Sequence, residues 1–384
     1  MRLRLHTAGE SHGPAVSALL DGLPAGFAVS RETIQRDLDR RRRGYGRGGR
    51  MRIEGDAVEV LAGLRGGRAL GSPLLLQVKN RDFWAAMHPF DPAPPGAERA
   101  VTRPRPGHVD LAGMLKYGTR DARDILERAS ARSTVARVAA GSVCKQVLEE
   151  FGVRLCGHVL AIGTVEADPD RSDFDALAAR AEASEVRCAD APASGAMVAA
   201  IRQAQHEGDS LGGLFEVLAV GVPPGLGGPS DWDTRLDGRL AQAVMSIQGI
   251  KGVEIGLGFS ASRLPGSRVH DPIGYRDGRF VRESNRAGGV EGGISNGEPI
   301  VVRAAMKPIP TLATALPSVE VVTKQAADAA VERTDSCVVP AAAVVAEAAV
   351  AFVLLDALFD KIGGDSRAES LRNFGGFLEQ VRAL

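Results

Sequence analysis

Two long segments of the chain are rich in apolar residues and predict helices that are buried inside the protein. Between 133 and 151, apolar side chains recur at every fourth position and form one continuous helical face, made of Val135, Ala139, Val143, Val147 and Phe151. The segment 340–362 is apolar on nearly all sides, and its proline suits the first turn of a helix. Such helices are expected to lie between other elements of the core.

Strand and turn patterns precede both helices, and they occur in the same order twice. At an offset of 199 residues, six turn-forming positions coincide: Gly9, Ser11, Gly13, Gly22, Pro24 and Gly26 match Gly208, Ser210, Gly212, Gly221, Pro223 and Gly225. The matched elements are strands at 15–20 and 214–220, helices at 31–41 and 232–244, and segments at 71–79 and 297–307. This self-similarity predicts a duplicated unit. Chance similarity between segments rich in glycine and proline is the alternative.

The elements predict an α+β fold in a single domain that covers 1–384. We expect a β-α-β sandwich built from two internally similar halves, with the long apolar helices packed between two β-sheets. The halves are expected at about 1–152 and 201–365, joined by a connection at 153–200 and followed by a C-terminal tail at 366–384.

Composition and charge limit the classes of function. The chain has 384 residues, with 47 basic and 47 acidic side chains, so no net field favours nucleic acid or a membrane surface. The four cysteines lack metal-ligand spacing, which is typical of buried thiols in a reducing cytoplasm. The apolar segment near the C-terminus contains Glu347 and Asp356, which disfavour a membrane span. We predict a soluble, cytoplasmic protein with no nucleic-acid or membrane partner and no metal.

A histidine distinguishes the two copies of one turn. The first copy reads GESHG and contains His12, whereas the second reads GDSLG and contains Leu211. Because the second copy needs no histidine to form this turn, a chemical role for His12 is favoured over a structural one. A surface histidine with satisfied hydrogen bonds is the alternative.

An arginine cluster, RRRRGYGRGGRM at 40–51, predicts an anion site. Its six arginines have little acid nearby in the sequence and would repel one another unless an anion is present. Arginine binds phosphate and carboxylate with two parallel hydrogen bonds, and glycine lets the backbone approach a ligand. A solvated basic run or a nucleic-acid surface is the alternative. With one aromatic residue interleaved, Tyr45, a small and multiply charged anion is preferred.

Other segments carry a second histidine and further arginines. The loop RPRPGHVD contains His108, whose ring can move protons near neutral pH. ERASARST precedes the first apolar helix, where free N–H groups attract phosphate. Helix capping alone is the alternative, but it does not explain Arg128 and Arg132. Glycine-rich loops at 246–256 and 284–299 lack the strand–turn–helix context of a Rossmann or P-loop site.

Taken together, these segments resemble the chorismate synthase family. The motifs occur in the family's order: GESHGPAV, GYGRGGRM, RPGHVDLAGMLKYG, ERASARST, IKGVEIG, AGGVEGGISNGEPI, KPIPT and RTDSCVVPAA. The resemblance covers almost the whole chain and is weakest between 168 and 187. It implies a carbon–oxygen lyase that eliminates phosphate from 5-enolpyruvylshikimate 3-phosphate to give chorismate, the last common step of aromatic amino acid biosynthesis. The reaction requires reduced FMN but involves no net redox change.

The resemblance also implies roles for single residues. His12 would protonate the departing phosphate, His108 would protonate the reduced flavin, and Asp335 would help a flavin nitrogen act as a base. The implied FMN site consists of Arg128, Ala129, Ser130, Gln248, Gly249, Gly292, Lys307, Pro308, Ile309, Pro310, Thr311 and Arg333. Residues implied to bind NADPH or a substrate anion are Arg41, Arg47 and Arg132.

The resemblance further implies a homotetramer, with the flavin reduced either by NADPH on the enzyme or by an external flavin reductase. Two other functions remain as alternatives from the residues alone. One is an NADPH-dependent flavin reductase, which would oxidise NADPH and release no phosphate. The other is a nucleic-acid-binding module based on the arginine cluster, which would bind DNA or RNA in a salt-sensitive way.

Overall fold

The computed structural model describes residues 3–49, 53–84, 87–88, 90, 100–332 and 335–384. The helices in this part of the chain are α1 (Arg31–Arg42), α2 (Asp110–Tyr117), α3 (Arg123–Ala129), α4 (Thr134–Glu149), α5 (Phe174–Ala183), α6 (Ala191–Glu207), α7 (Leu236–Met245), α8 (Val339–Ile362) and α9 (Arg367–Ala383). Its strands are β1 (Arg4–Ala8), β2 (Ala15–Asp21), β3 (Val58–Ala62), β4 (Leu64–Arg65), β5 (Arg68–Ala69), β6 (Leu74–Lys79), β7 (Arg154–Ile162), β8 (Val165–Glu166), β9 (Gly213–Val220), β10 (Ile250–Ile255), β11 (Ile273–Arg276), β12 (Arg279–Arg282), β13 (Val290–Glu291), β14 (Ile294–Ser295), β15 (Ile300–Met306), β16 (Pro317–Val319) and β17 (Ala326–Asp328).

Two antiparallel sheets organise this mixture of helix and strand. The first sheet has the order β1-β2-β6-β3, and the second has the order β10-β15-β9-β7-β8. Strand β2 alternates buried apolar side chains with more exposed ones, as expected for a strand covered on one face. Strand β9 is buried from Phe215 to Ala219 and contributes to two apolar clusters, so both of its faces are covered. The remaining pairs, β4-β5, β11-β12, β13-β14 and β16-β17, are two-stranded.

The two apolar helices occupy the core close to their predicted limits. Helix α4 contacts β2 and β6 of the first sheet, helix α8 contacts β7 and β9 of the second, and the two helices contact each other. Helix α8 is the one helix in the described residues that is long and apolar enough to cross a membrane, and 94% of its most apolar window is buried inside the protein. The core helix of a soluble protein has the same properties.

Two elements differ from the sequence expectations. The helix predicted at 232–244 begins only at Leu236, because the residues before it form a turn in which Thr234 donates its N–H to Asp231 O (3.1 Å). The segment 153–200, predicted as a connection, contains β7, which lies between β9 and β8 in the second sheet. Both faces of β7 are covered, since α8 packs on one face and α5 contributes Leu177 to a small apolar cluster with Cys156 on the other.

A buried ionic cluster joins the helices at the centre of the protein. Glu347 in α8 is 1% exposed, and its carboxylate accepts hydrogen bonds from Arg40 Nη1 (2.9 Å) and Nη2 (3.0 Å) and from Lys145 Nζ. Its Oε2 also accepts the N–H of Gly157 (2.9 Å). Burial by itself would raise the pKa of Glu347, but the charges of Arg40 and Lys145 outweigh it and hold this pKa well below the ordinary value.

The closest approach between α4 and α8 occurs at Gly141. A Cβ atom at this position would lie 2.4 Å from the Cβ of Ala348, which is shorter than real carbon–carbon contacts. We expect Gly141→Ala to lower the free energy of unfolding by about 1–3 kcal/mol through overpacking, measured by urea denaturation. The control is Gly195→Ala in α6, where nothing lies within 4 Å and stability should rise by about 0.5–1 kcal/mol. A stabilised Gly141→Ala variant would contradict the close packing.

Candidate active site

His12 lies in the turn between β1 and β2 and is held by a carboxylate from α3. Its Nδ1 is 2.9 Å and 3.0 Å from the two carboxylate oxygens of Glu127, and its backbone N–H donates to Oε2 (2.8 Å). Burial would raise the pKa of Glu127, but the hydrogen bonds from His12 and the charge of Arg123 outweigh it and lower this pKa. The Glu127 side chain is therefore an ionised acceptor at neutral pH.

Trp84 and Asp82 also contact the His12 ring. The ring stacks on Trp84, with centroids 3.5 Å apart and planes inclined by 16°, and Nε2 lies 3.6 Å from Oδ2 of Asp82. The Arg123 guanidinium lies over the Trp84 ring, 5.3 Å from its centroid. The ring orientation is thus set by packing, while part of the side chain remains accessible.

His108 lies in the loop before α2 and has a similar arrangement. Its Nδ1 is 2.5 Å from Oδ1 of Asp110, whose side chain is fully buried. Arg105 binds the other carboxylate oxygen through Nε (2.8 Å) and donates to Thr311 Oγ1 through Nη1 (2.9 Å). Burial would raise the pKa of Asp110, but the hydrogen bonds from His108 and Arg105 outweigh it and lower this pKa strongly.

The arginine cluster is neutralised by acids from both neighbouring and distant parts of the sequence. Arg40 binds Glu347, Arg42 binds Asp39, and Arg41 binds Asp56 (3.4 Å). The expectation that these arginines repel one another without a bound anion is therefore wrong for this part of the cluster. Tertiary folding brings in Asp56 and Glu347, which the local sequence does not reveal.

Arg41 and Arg132 share Asp56 in a buried network. Arg132 donates to Asp56 Oδ1, to Asn80 Oδ1 (2.7 Å) and to Glu54 Oε2 (3.4 Å), and Arg41 donates to Thr134 Oγ1 (2.8 Å). Burial, with Arg47 and Arg132 nearby, lowers the pKa of Arg41 to about 9, which still leaves it charged at neutral pH. Asn80 in turn donates to Gly13 O (2.6 Å), so this network supports the His12 turn.

Arg47 and Asp335 form an ion pair beside that network. Arg47 Nη1 is 3.2 Å from Asp335 Oδ2, and the other oxygen of Asp335 accepts the N–H of Gly48. Among the described residues, the buried Nε of Arg47 has no hydrogen-bond partner. Arg47 thus retains a donor that a bound anion can satisfy.

The predicted flavin segments from the two parts of the chain are in contact. Ser130 Oγ accepts from Ser11 Oγ (3.0 Å), and Ser133 Oγ accepts from Gln248 Nε2 (3.1 Å). Lys307 N–H donates to Gly249 O (3.0 Å), and its Nζ donates to Gly107 O (2.5 Å), next to His108. A continuous series of contacts therefore runs from the His12 turn to the His108 loop.

The other predicted residues are placed as follows. Ala129 ends α3, and the exposed Arg128 donates to Thr7 O (2.8 Å) and Thr7 Oγ1 (3.0 Å). In the KPIPT segment, which includes Pro308 and Pro310, Ile309 O accepts from Ser210 Oγ (2.7 Å). Gly292 lies in the β13-β14 turn, where its carbonyl accepts from Arg235 Nη1 (3.2 Å). Arg333 lies outside the described residues.

The residues of the site that were not predicted include Trp84, Arg105, Asp110, Arg123 and Glu127. Asp110 and Glu127 stand in RPRPGHVD and ERASARST, the motifs from which the neighbouring His108 and Arg128 were predicted. Asp110 could have been predicted, because an acid two residues after a loop histidine is a candidate partner for its ring. Glu127 had no such signal, since 115 residues separate it from His12. No cluster of three or more metal-ligating side chains occurs in the described ranges.

This arrangement can transfer protons at two points. Each histidine has one ring nitrogen on an ionised carboxylate and the other directed away from it, and the guanidinium groups of Arg41, Arg47 and Arg132 lie close to one another in a network that reaches the His12 turn through Asn80. Such groups stabilise negative charge that develops on a leaving oxygen. The site therefore suits acid–base chemistry on an anionic substrate.

Comparisons with known proteins agree with this chemistry. The family model for chorismate synthase matches residues 3–359. Chorismate synthases of Desulforudis audaxviator and Moorella thermoacetica are 55% and 58% identical to the chain; the alignments cover 99% and 94% of this chain and 98% and 95% of those proteins. A crystal structure of a chorismate synthase superposes with a TM-score of 0.82 at 43% identity, covering 100% of this chain and 99% of that one. The chain therefore belongs to the chorismate synthase family.

Proposed function

We propose that the site around His12 and His108 performs the reaction of the family. The chain is a carbon–oxygen lyase that eliminates phosphate from 5-enolpyruvylshikimate 3-phosphate to give chorismate, in the pathway to the aromatic amino acids. The observation that supports these residues as the site is the continuous series of contacts from the His12 turn through Ser133, Gln248 and Lys307 to the His108 loop.

His12 is proposed to give a proton to the departing phosphate. A phosphate leaves more readily when it is protonated and surrounded by guanidinium groups, and Arg47 keeps a donor for it. Arg41 and Arg132 already bind Asp56 and are almost completely buried, so we propose that they favour binding of NADPH or of the substrate anion through their positive charge rather than by direct contact. His108 and Asp335 complete the proton-handling groups.

Reduced FMN fits the residues that connect the two histidines. The buried Oε1 of Gln248 has no hydrogen-bond partner in the described part of the chain, and a flavin ring carries an N–H group of the kind that would satisfy it. The residues that would hold the flavin are the predicted ones: Arg128, Ala129, Ser130, Gln248, Gly249, Gly292, the KPIPT segment and Arg333. When bound, reduced flavin supplies electron density for the elimination and recovers it, without net redox change.

The proposed flavin contact predicts an effect of Gln248→Ala. Loss of one hydrogen bond of about 0.5–1.5 kcal/mol should weaken FMN binding roughly 2–10-fold, measured by quenching of flavin fluorescence. The control is Gln203→Ala, because Gln203 is exposed on α6 and bonds Glu207. Unchanged FMN affinity in Gln248→Ala would remove this residue from the flavin site.

We also propose the duplicated α+β sandwich for the fold. When β2 and β6 are moved along the sequence by the offsets of 199 and 226 that align Gly9 with Gly208 and Gly71 with Gly297, each of their paired residues maps onto a paired residue of β9 and β15. By position in the sheets, the order β1-β2-β6-β3 also corresponds to β7-β9-β15-β10, although β1 and β3 are not related to β7 and β10 by these sequence offsets. This correspondence supports a single domain of two halves, the second beginning at β7 rather than at 201.

Phosphate release is the test of the proposed function. Purified chain with FMN reduced by dithionite, without oxygen, should release phosphate from 5-enolpyruvylshikimate 3-phosphate in step with chorismate absorbance. Flavin binding without phosphate release would contradict the proposal. Oxidation of NADPH without phosphate release would support a flavin reductase instead.

Two further measurements test the remaining proposals. Adding NADPH or a separate flavin reductase in place of dithionite distinguishes the two sources of reduced flavin. Light scattering measures the mass of the assembly and tests the proposed homotetramer.

A further inference from the structure

The two histidines are held by the same set of three side chains. In each set a buried carboxylate contacts the histidine Nδ1, and an arginine contacts the carboxylate: Arg123–Glu127–His12 and Arg105–Asp110–His108. The histidine ends of the sets derive from different loops, and the carboxylates derive from different helices, α3 and α2. Because the same arrangement occurs around both histidines, we infer that the site requires each ring to be held in one orientation.

We propose that Glu127 and Asp110 are positioning residues that keep hydrogen on Nδ1 of His12 and His108, so that Nε2 of each ring is the atom that exchanges protons during the reaction. The proposal rests on the proposed function of the two histidines. A carboxylate that orients a catalytic imidazole and selects its tautomer is a general device in enzymes.

The hydrogen bonds of each carboxylate determine the tautomer. An ionised carboxylate only accepts hydrogen bonds, so the contacts of 2.9 Å at Glu127 and 2.5 Å at Asp110 require Nδ1 to donate. Arg105 Nη2 also lies 3.1 Å from Nδ1 of His108, but at the same distance it can donate to Oδ1 of Asp110. The shorter contact with Asp110 therefore decides that His108 Nδ1 bears hydrogen.

Each arginine also connects its set to a segment from the second part of the chain. Arg123 Nη2 donates to Glu332 (2.9 Å), and Arg105 Nη1 donates to Thr311 (2.9 Å) in the KPIPT segment. The orientation of both rings is thus tied to segments close in sequence to the proposed flavin residues. Both carboxyl pKa values are lowered, so the two acceptors stay ionised at neutral pH.

Amide substitutions should disturb the tautomer without changing the shape of the side chain. In Asp110→Asn, the backbone N–H of Arg105 (3.1 Å) and its Nε (2.8 Å) favour the amide oxygen at the Oδ2 position. The amide NH₂ group then faces Nδ1 of His108, which has to become an acceptor. In Glu127→Gln, the backbone N–H of His12 favours the amide oxygen at the Oε2 position, which lies 3.0 Å from Nδ1, and places the amide NH₂ group at the Oε1 position, 2.9 Å from Nδ1. Nδ1 of His12 therefore holds its hydrogen less firmly than beside the carboxylate, but it can still donate to the amide oxygen.

A third pair of histidine and carboxylate provides a matched control. His158 Nε2 lies 3.1 Å from Glu216 Oε1, which also accepts from Arg171 Nε (2.7 Å), and both His158 and Glu216 are buried in the second sheet. Glu216→Gln therefore makes the same chemical change in an equally buried carboxylate outside the proposed site. It should alter stability and leave kcat unchanged.

The test combines nitrogen NMR of the histidine rings with kinetics. In chain labelled with ¹⁵N-histidine, at pH values above the titration of both rings, Nδ1 of His12 and His108 should bear hydrogen; His12→Asn and His108→Asn identify the signals. In Asp110→Asn the hydrogen of His108 should move to Nε2, and kcat should fall about 10²-fold while KM changes less than about 3-fold. In Glu127→Gln the hydrogen of His12 should be shared between Nδ1 and Nε2, and kcat should fall by a smaller factor.

Several outcomes would overturn the positioning role. Hydrogen on Nε2 of both rings in the unsubstituted chain would overturn it, and this measurement is possible even if the amide variants do not fold. Normal kcat in folded Glu127→Gln and Asp110→Asn, or an equal loss of kcat in Glu216→Gln, would also do so. If the unsubstituted chain releases no phosphate although both rings carry hydrogen on Nδ1, the proposed function fails and the tautomer assignment stands.

Discussion

Replacing His12 with alanine is expected to lower turnover by about 10²–10⁴-fold, the loss that follows removal of a general acid. The substitution removes the ring that stacks on Trp84 and faces Asp82, but the backbone N–H of residue 12 still donates to Glu127. The chain should therefore still fold. Phosphate release under anaerobic, reducing conditions measures the effect, and circular dichroism checks the folded state.

The matched control for His12 is His206→Ala. His206 is exposed near the end of α6, so its loss should leave turnover and thermal unfolding close to those of the unsubstituted chain. Near-normal turnover in His12→Ala would mean that another group protonates the phosphate. A general acid has to be protonated to work, so any fall of turnover with rising pH that His12 causes should disappear in the variant.

Replacing Glu347 with glutamine should lower the free energy of unfolding by about 3 kcal/mol, the lower end of the cost of breaking a buried ion pair, because Asp37 is then left as the carboxylate that Arg40 and Lys145 share. Glu347 is 1% exposed, so water cannot replace the lost interaction. Urea denaturation at neutral pH gives the size of the effect. A change below about 1 kcal/mol, as for a surface ion pair, would contradict the buried network.

Glu182→Gln provides the control for this cluster, since Glu182 binds Arg40 and Arg187 but is 39% exposed. Its substitution should cost roughly 0–1 kcal/mol of the free energy of unfolding.

The stabilisation by Glu347 should depend on pH in a definite direction. Because folding lowers the pKa of Glu347, its contribution is present above its unfolded value of 4.5 and is lost as the pH falls toward the folded value. The difference between the unsubstituted chain and Glu347→Gln should therefore narrow in acid.

The periodicity of apolar residues was sufficient for the core helices. The proline at 340 and the glycines at 363–364 delimit α8 within one residue of the observed range Val339–Ile362. The strands β2 and β9 were likewise predicted from apolar, strand-like segments between turn residues. These features depend on local preferences and on burial of one face, both of which are encoded in neighbouring residues.

The strand β7 shows where local patterns were insufficient. Its residues are apolar on both faces, which does not distinguish a connection from a strand covered on both sides. Only the packing of α8 and α5 against its two faces determines that it belongs to the second sheet. The helix predicted at 232–244 begins later than predicted, at Leu236, for a related reason. Trp232 is apolar, which suggested a buried position in the helix, but its side chain is 84% exposed.

By itself the sequence determined the chemical types present at the site: two loop histidines, arginines and glycine-rich loops in an order that resembles one family. Only the tertiary structure decided which acid meets each of them. Glu127 meets His12 across 115 residues, and Glu347 meets Arg40 across 307. Side-chain contacts of this range depend on how helices and sheets pack, and a pattern of neighbouring residues contains no information about partners that distant. The protonation and charge of the site are therefore properties of the folded chain.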